Sequence, residues 1–192
     1  MGPVASPSSP HPHDHADVSV RPARPEDAAE LAAVTYAGWT GPYAALLPEG
    51  AAASLREDAL ADEWRAAADA APTPRHLVLV AVEADRVVGY AVTAPAADPD
   101  SAGADDVAEV LDLVVHPDHQ RAGHGSRLLA AATDLLRERG VRGLTSWAAA
   151  SDAPRAAFLR SAGLDADGAT RVLDSGPGSR GVEQVRFSAS LA

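Results

Sequence analysis

The sequence predicts one α/β domain: a mixed sheet of about seven strands with helices on both of its faces. Short β-branched segments alternate with amphipathic segments in the order β-α-α-β-β-β-α-β-α-β-β, which indicates this class. The length of 192 residues fits one compact domain, and 46% hydrophobic with 22% charged residues is an ordinary globular composition. A mainly disordered chain is therefore excluded.

The chain begins with a segment that lacks any apolar period. Residues 1–17 are rich in Pro, Ser and His, so we expect a disordered tail followed by one domain over residues 18–192. The tail contains His11, His13 and His15, which we expect to be solvated rather than to bind a metal.

A strand and two helices open the domain. Residues 18–21 alternate like a short strand, and Pro25 with the two acids after it starts a helix that we expect to end at Gly38. A second, single helix is predicted over residues 51–71 because its apolar residues recur at helical spacing.

The rest of the domain is predicted to be rich in strands. Residues 76–82 and 87–93 form a β-hairpin, and an acidic loop over 95–106 follows. The remaining elements are predicted as strands over 107–115, 144–148, 170–173 and 182–189 and as helices over 126–139 and 152–162.

Composition narrows the function classes. The net charge of −11 argues against nucleic-acid binding, which normally needs a basic face. No apolar run approaches the length of a membrane span and no leader-like N-terminus is visible, so we expect a cytoplasmic protein with no membrane partner. The absence of cysteine excludes disulfides, cysteine nucleophiles and thiolate zinc sites. The sequence does not decide whether the chain forms a homodimer.

The stretch after the fourth strand carries the main chemical signal. A short turn follows the strand, and Gly123-His-Gly125 opens an amphipathic helix. Glycines let a ligand approach the backbone closely, and the amide groups at a helix N-terminus converge on an anion. Arg121 and Arg127 add positive charge, so a pyrophosphate is the expected guest. The chain has no lysine for a Walker motif, and Leu128 replaces the third glycine of the dinucleotide pattern.

This turn resembles a known signature. Gln120-Arg-Ala-Gly123-His-Gly125 is similar to the Gln/Arg-x-x-Gly-x-Gly/Ala motif of the GNAT family of N-acetyltransferases, and the Val-His-Pro before it is also typical. The resemblance spans about residues 18–190 and implies a GNAT-like fold with acetyl-CoA, or another acyl-CoA, as donor. It implies that the turn holds the pyrophosphate and that the end of the fourth strand faces the pantetheine arm. The residues so assigned to cofactor binding are Leu113, Val114, Val115, Gln120, Arg121, Ala122, Gly123, His124, Gly125 and Ser126.

Glu109 is the predicted general base. The family commonly carries a carboxylate near the start of this strand, and an attacking ammonium must first lose a proton. By simple alternation Glu109 shares a strand face with Leu111 and Leu113, so its pKa is expected to be raised. A solvated carboxylate at the start of a strand is the alternative. Asp112 is expected on the opposite face, where it could pair with an arginine or bind a substrate amine.

The next family motif is incomplete. Many members carry Asn followed six and seven residues later by Phe-Tyr, whose tyrosine protonates the leaving thiolate, whereas this chain has Asp152, Phe158 and Leu159. Leucine cannot donate a proton, so the donor is water, another residue or nothing. Phe158 and Leu159 are expected to be packing residues, and Ser151 and Asp152 either contact the CoA arm or cap the helix.

Two further pairs of residues are candidates. Trp39 and Tyr43 are expected to line the acceptor pocket, because the resemblance places the loop after the first helix there; core aromatics are the alternative. His116 and His119 form an H-x-x-H pair, but the sequence offers no third ligand near them, so no metal site is expected.

The sequence therefore predicts an acyl-CoA-dependent N-acyltransferase that acts on a small-molecule or peptide amine. The amine would attack the thioester directly in a ternary complex, because no cysteine is available for a covalent route. A backbone amide near Val115 would stabilise the oxyanion. A non-catalytic acyl-CoA-binding or regulatory domain on the same fold is the alternative.

Overall fold

The order of elements agrees with the sequence prediction except that two helices stand where a single helix was predicted over residues 51–71. The computed structural model describes residues 18–47, 50–69, 72–97, 106–173 and 181–191. The tail over 1–17, with its three histidines, and most of the acidic loop over 95–106 lie outside these residues. The strands are β1 (Val18–Pro22), β2 (Leu77–Glu83), β3 (Arg86–Pro95), β4 (Val107–Val115), β5 (Gly143–Ala149), β6 (Asp165–Leu173) and β7 (Val182–Ser190). The α-helices are α1 (Ala28–Thr40), α2 (Ala51–Ser54), α3 (Glu57–Asp69), α4 (His124–Glu138) and α5 (Ala153–Ser161).

The seven strands form one mixed sheet in the order β1-β2-β3-β4-β5-β7-β6. β4 and β5 are the parallel pair, and all other neighbouring strands are antiparallel. A parallel pair needs a crossover connection, which α4 supplies. Helices α4 and α5 cover one face, and α1 and α3 cover the other. The predicted class, a mixed α/β sheet with helices on both faces, is confirmed.

Each face of the sheet buries its own core. Leu128 and Leu136 of α4 are fully buried against the first face, and Leu31 and Val34 of α1 are buried against the second. Full burial of such a side chain stabilises the fold by about 1.5–3 kcal/mol. The α4 contacts therefore fix the turn that precedes this helix. No helix within the described segments has the length and apolar character needed to cross a bilayer.

The region around α1 and α2 differs from the prediction in two ways. Helix α1 continues past Gly38 to Thr40, and Gly38 is a packing residue: a Cβ on it would lie 2.7 Å from Val114 Cγ1. Glycine thus lets α1 approach β4 closely. The single helix predicted over 51–71 is also wrong, because Leu55 has an extended backbone (φ −66°, ψ 134°) that ends α2 before α3 begins.

Candidate active site

The turn between β4 and α4 has the geometry of an anion site. Two of its residues have left-handed backbones, Arg121 (φ 64°) and Gly123 (φ 83°), and Gly123 is the N-cap of α4. Turns of this kind aim successive amide groups at one point, and the helix N-terminus adds a partial positive charge. Arg127 fixes the turn from within, since its Nη1 donates to the Ala122 carbonyl oxygen at 2.8 Å. These features fit a pyrophosphate, whose placement here remains a prediction.

Gly125 lies where α4 approaches β4 and α5. A Cβ built on it would be 3.5 Å from Leu113 Cδ2 and 3.5 Å from Phe158 Cε2, which is ordinary van der Waals contact. Alanine would therefore fit, in agreement with the Gly/Ala alternative of the motif. A larger side chain would press on Leu113 and Phe158, and the role of Gly125 in cofactor binding stays a prediction.

β4 and β5 separate where the pantetheine arm is expected. Their parallel pairing ends at Val110 and Ser146. Beyond this point the Leu113 carbonyl oxygen has no partner on β5 and instead accepts from Arg155 Nη1 at 3.3 Å. The separation of the strands thus frees a backbone acceptor from β5, and Arg155 contacts it.

The last residues of β4 have different surroundings. The Val115 carbonyl oxygen accepts a hydrogen bond from Gln120 Nε2 at 3.2 Å, which connects the end of β4 to the anion turn, the turn over residues 120–126 between β4 and α4. The Val114 side chain is fully buried in the α1 core, and Leu113 contributes to the α4 core. The role of these residues in holding the pantetheine arm, and of an amide near Val115 in holding an oxyanion, stays a prediction.

Arg155, which the sequence analysis did not single out, lies in the gap between β4 and β5. Besides the Leu113 carbonyl, it contacts Ser146, with Nη2 3.4 Å from Oγ. The charge of Arg155 also acts on Tyr43: burial raises the pKa of the Tyr43 phenol, and the positive charge of Arg155 opposes this rise. Arg155 is the third residue of α5, and the packing of α5 beside β4 brings it here. No local pattern marks it.

Glu109 and Asp112 share one face of β4, contrary to the sequence prediction. Two adjacent residues of β3 pair with Val110 and Asp112, so Leu111 between them has no partner and forms a β-bulge. The extra residue reverses the alternation of side chains along the strand. Asp112 therefore lies on the Glu109 face, while Leu113 lies on the opposite face, in the α4 core.

The surroundings of Glu109 also differ from the prediction. Glu109 is 7% exposed, which excludes the alternative of a solvated carboxylate. Its Oε1 is 3.9 Å from Nη2 of Arg171, whose guanidinium lies 4.2 Å from the Trp147 ring centroid. The expected apolar face shared with Leu113 is therefore wrong, because Leu113 lies in the α4 core on the opposite face, while the raised pKa stays a prediction. Its role as a base remains a prediction.

Two donors hold the Asp112 carboxylate. The Tyr90 hydroxyl donates to Oδ2 at 2.8 Å, and the Leu113 amide donates to Oδ1 at 2.9 Å. Burial raises the pKa of Asp112, while the Tyr90 hydrogen bond and the charge of Arg155 oppose this rise. Burial likewise raises the pKa of the Tyr90 phenol, which therefore stays a donor. In the sequence Tyr90 sits inside an apolar strand and is indistinguishable from a core residue.

Aromatic side chains border the same face of the sheet. Trp39 and Tyr43 come together at the end of α1, with ring centroids 5.5 Å apart, and both are half-buried. Trp64 of α3 lies 4.6 Å from the Tyr90 ring and donates from Nε1 to Thr35 Oγ1 at 2.9 Å. The structure thus brings the two predicted pocket residues together, and their contact with an acceptor stays a prediction.

Helix α5 confirms two interpretations of the sequence, that Asp152 caps the helix and that Phe158 and Leu159 are packing residues. Asp152 Oδ1 accepts from the Arg155 amide at 3.0 Å, so Asp152 caps the helix. Its Oδ2 is buried and has no hydrogen-bond partner within the described ranges. Leu159 is 2% exposed in the α4 core, and Phe158 packs against that core. Both are packing residues, as predicted.

His119 has neighbours that the sequence did not reveal. Its Nδ1 is 2.6 Å from Glu83 Oε2, and His124 Nε2 is 3.6 Å from the same oxygen. The expectation that no third ligand lies near the H-x-x-H pair is therefore wrong. His116 takes no part in this cluster, since its Nδ1 accepts from the Asp118 amide at 3.3 Å.

Comparison with known proteins decides the family. A model described as the acetyltransferase (GNAT) family matches residues 42–164, which include the β4–α4 turn and all of α5. This chain belongs to the GNAT family. The resemblance found in the anion turn thus extends over most of the GNAT chain, including the region around Leu159 where the usual tyrosine is absent.

Individual relatives agree with the family. Mycothiol acetyltransferase from Thermomonospora curvata is 36% identical over 135 residues, which are 70% of this GNAT chain and 42% of that protein. The chain therefore spans less than half the length of that relative.

Two solved structures are similar in fold. The acetyltransferase yncA from Salmonella typhimurium, solved with its cofactor acetyl-CoA, has a TM-score of 0.69 at 20% identity and covers 92% of this chain and 95% of its own. The PaiA N-acetyltransferase from Thermoplasma acidophilum, solved with coenzyme A, has a TM-score of 0.70 at 18% identity, with coverage of 91% and 99%. At these identities the likeness shows the GNAT fold.

Proposed function

We propose that this GNAT protein transfers an acetyl group from acetyl-CoA to the amine of a small molecule or a peptide, by direct attack in a ternary complex. The observation that carries this proposal is the gap that opens after Val110 and Ser146, beside a glycine turn of anion-binding geometry. Membership of the GNAT family, and the presence of acetyl-CoA or coenzyme A in similar structures, support acetyl-CoA as the donor.

The turn and the strand end have separate tasks in donor binding. The backbone over residues 120–126 would hold the pyrophosphate, because its left-handed residues and the start of α4 gather amide groups there. The backbone of Leu113 and Val115 would bind the amide groups of the pantetheine arm. The donor itself supplies a thioester, an activated acyl group that needs no covalent enzyme intermediate, and the chain has no cysteine to form one.

Glu109 prepares the acceptor in this proposal. Its carboxylate takes a proton from the acceptor ammonium, directly or through one water, and the freed nitrogen lone pair then bonds to the carbonyl carbon. The nitrogen of this tetrahedral intermediate passes its second proton to water. Arg171, whose Nη2 is 3.9 Å from Glu109 Oε1, would hold this carboxylate in place. Asp112, on the same face, would bind the positive charge of the acceptor before this step.

The carbon–sulfur bond then breaks, and the thiolate leaves with the electron pair of that bond. A backbone amide near Val115 would stabilise the oxyanion formed before this cleavage. Leu159 is buried and cannot protonate the thiolate, so water or another residue supplies that proton. The aromatic pair Trp39 and Tyr43 would form a wall of the acceptor pocket.

A non-catalytic acyl-CoA-binding domain is the second candidate, and the leucine at position 159 is the observation that favours it. Two measurements separate the candidates: calorimetric binding of CoA, and release of free thiol from acetyl-CoA with polyamines, aminoglycosides and peptides. Binding together with amine-dependent thiol release supports the transferase. Binding without release for any amine supports the binding domain, and absence of CoA binding contradicts both.

A further inference from the structure

Two histidines and a glutamate meet beside the anion turn. Glu83 is the last residue of β2, His119 precedes the glycines of the turn, and His124 is the first residue of α4. The Glu83 Oε2 atom is 2.6 Å from His119 Nδ1 and 3.6 Å from His124 Nε2, and all three ligand atoms lie within 4.8 Å of one another. Suitable metal ligands from three segments therefore converge on one point.

His124 is the member of this cluster that packing alone does not explain. It is 1% exposed, and in the described part of the chain neither ring nitrogen has a hydrogen-bond partner. Buried polar groups nearly always have a partner, so an unpaired buried imidazole indicates a bound group that completes the site. The 3.6 Å separation from Glu83 Oε2 is too long for a hydrogen bond, but it suits two ligands of one ion.

We propose that Glu83, His119 and His124 bind one Zn²⁺ ion. Zinc binds imidazole nitrogen and carboxylate oxygen at about 2.0–2.2 Å, so two ligand atoms of a tetrahedral site lie about 3.3 Å apart. The two distances from Glu83 Oε2, 2.6 and 3.6 Å, lie on either side of this value. A small rotation of the partly exposed His119 side chain would equalise them. Three protein ligands leave the fourth position to water.

The ion would connect two parts of the chain that the sequence separates widely. Glu83 belongs to the β2–β3 hairpin, whereas His119 and His124 flank the glycine turn on either side. Zinc would therefore hold both ends of the anion turn against the hairpin, and we expect it to raise the thermal stability of the protein. This inference does not depend on acetyl transfer, because its readout is metal binding.

The test uses the full chain, stripped of metal with a chelator and titrated with Zn²⁺ in competition with a chromogenic chelator. We expect the chain to bind one equivalent of zinc tightly, and the zinc affinity to fall by about 100-fold or more in Glu83→Gln and in His119→Gln. Mutation of a residue that only hydrogen-bonds to a metal ligand already lowers metal affinity about 10–100-fold, so loss of a ligand should cost at least as much. His116→Gln is the matched control: it removes an imidazole from the same loop but lies outside the cluster. It should bind zinc like the unmodified chain.

Thermal unfolding supplies a second readout. A hundredfold excess of zinc over its Kd should raise the Tm of the unmodified chain and of His116→Gln by about 5–10 °C, but not that of the two cluster variants. The histidines of residues 1–17 are present in every variant and cannot produce this difference. Equal zinc affinity in all four proteins, or no zinc binding by the full chain, would overturn the proposal. If Glu83→Gln fails to fold without metal, the His119→Gln variant, whose side chain is partly exposed, provides the test by itself.

Discussion

Glu109 and Asp112 lie on the same face of β4, although they are three residues apart in a strand whose side chains should alternate. The cause is the bulge at Leu111, which has no partner on β3. One face therefore carries two carboxylates in different environments: Glu109 lies beside a guanidinium, and Asp112 receives hydrogen bonds from a phenol and a backbone amide. We therefore propose the base at Glu109 and acceptor binding at Asp112.

The first prediction concerns Glu109. Glu109→Gln keeps the size of the side chain but cannot accept a proton, so the rate of acetyl transfer should fall by roughly 10²-fold near neutral pH. The loss should shrink at high pH, where free amine is already present. A pH–rate profile of the variant measures both effects, and Glu138→Gln, an exposed residue at the end of α4, is the control. An unchanged profile for Glu109→Gln would transfer the role of base to Asp112 or to water.

The second prediction concerns the glycines of the turn. Gly125→Ala should retain CoA affinity because its Cβ makes only ordinary contacts, whereas Gly125→Val should lose at least tenfold because its methyl groups fill the space beside Leu113 and Phe158. Gly123→Ala should lower the free energy of unfolding by about 1–2 kcal/mol, because Gly123 has a φ of 83° and a residue with a Cβ is strained in this left-handed backbone. Calorimetry with CoA measures the affinities. An unchanged affinity for the valine variant would refute the assignment of this space to the donor.

The third prediction concerns the position where the family often has a tyrosine. Leu159→Tyr should lower the free energy of unfolding by about 1–3 kcal/mol, because the larger ring overpacks the α4 core, and it should bring no gain in turnover. Denaturant titration measures the stability, with Leu159→Met as the volume-matched control. A tyrosine variant that is equally stable and faster would show that the site can accept the usual proton donor.

The fourth prediction is a pH dependence at Asp112. Its pKa is raised in the folded protein, chiefly by burial, so its contribution to stability is fully present below the unfolded pKa and is lost as the pH rises through the folded pKa. Asn does not titrate. Asp112→Asn should therefore gain stability relative to the unmodified protein as the pH rises from about 4 to about 8. Urea unfolding at several pH values gives this difference, and parallel stability curves would contradict it.

The sequence predicts those features of the fold and site that are set locally. The glycine turn can be recognised because a left-handed N-cap and a helix start depend on neighbouring residues, and the buried Leu159 follows from helical spacing. The strand and helix order follows from the same local periodicities. The break at Leu55 was missed because no proline or glycine marks it.

Features that depend on distant partners could not be predicted. The bulge at Leu111 exists only in the register of β4 against β3, so simple alternation placed Asp112 on the wrong face. Arg155 enters the gap because α5 packs beside β4, and no spacing in the sequence indicates that contact. Glu83 lies 36 residues before His119, so an H-x-x-H search cannot find it.

The proposed reaction moves the acetyl group of acetyl-CoA to an amine nitrogen. The most direct measurement supplies acetyl-CoA labelled with ¹³C in its acetyl carbonyl, together with the amine panel, and follows the label by NMR and mass spectrometry. We expect the label to appear as an amide on the acceptor nitrogen, in equal amount to the released CoA, and roughly 10²-fold more slowly with Glu109→Gln. Label that stays in the thioester, or that is released only as acetate whatever amine is present, would contradict it.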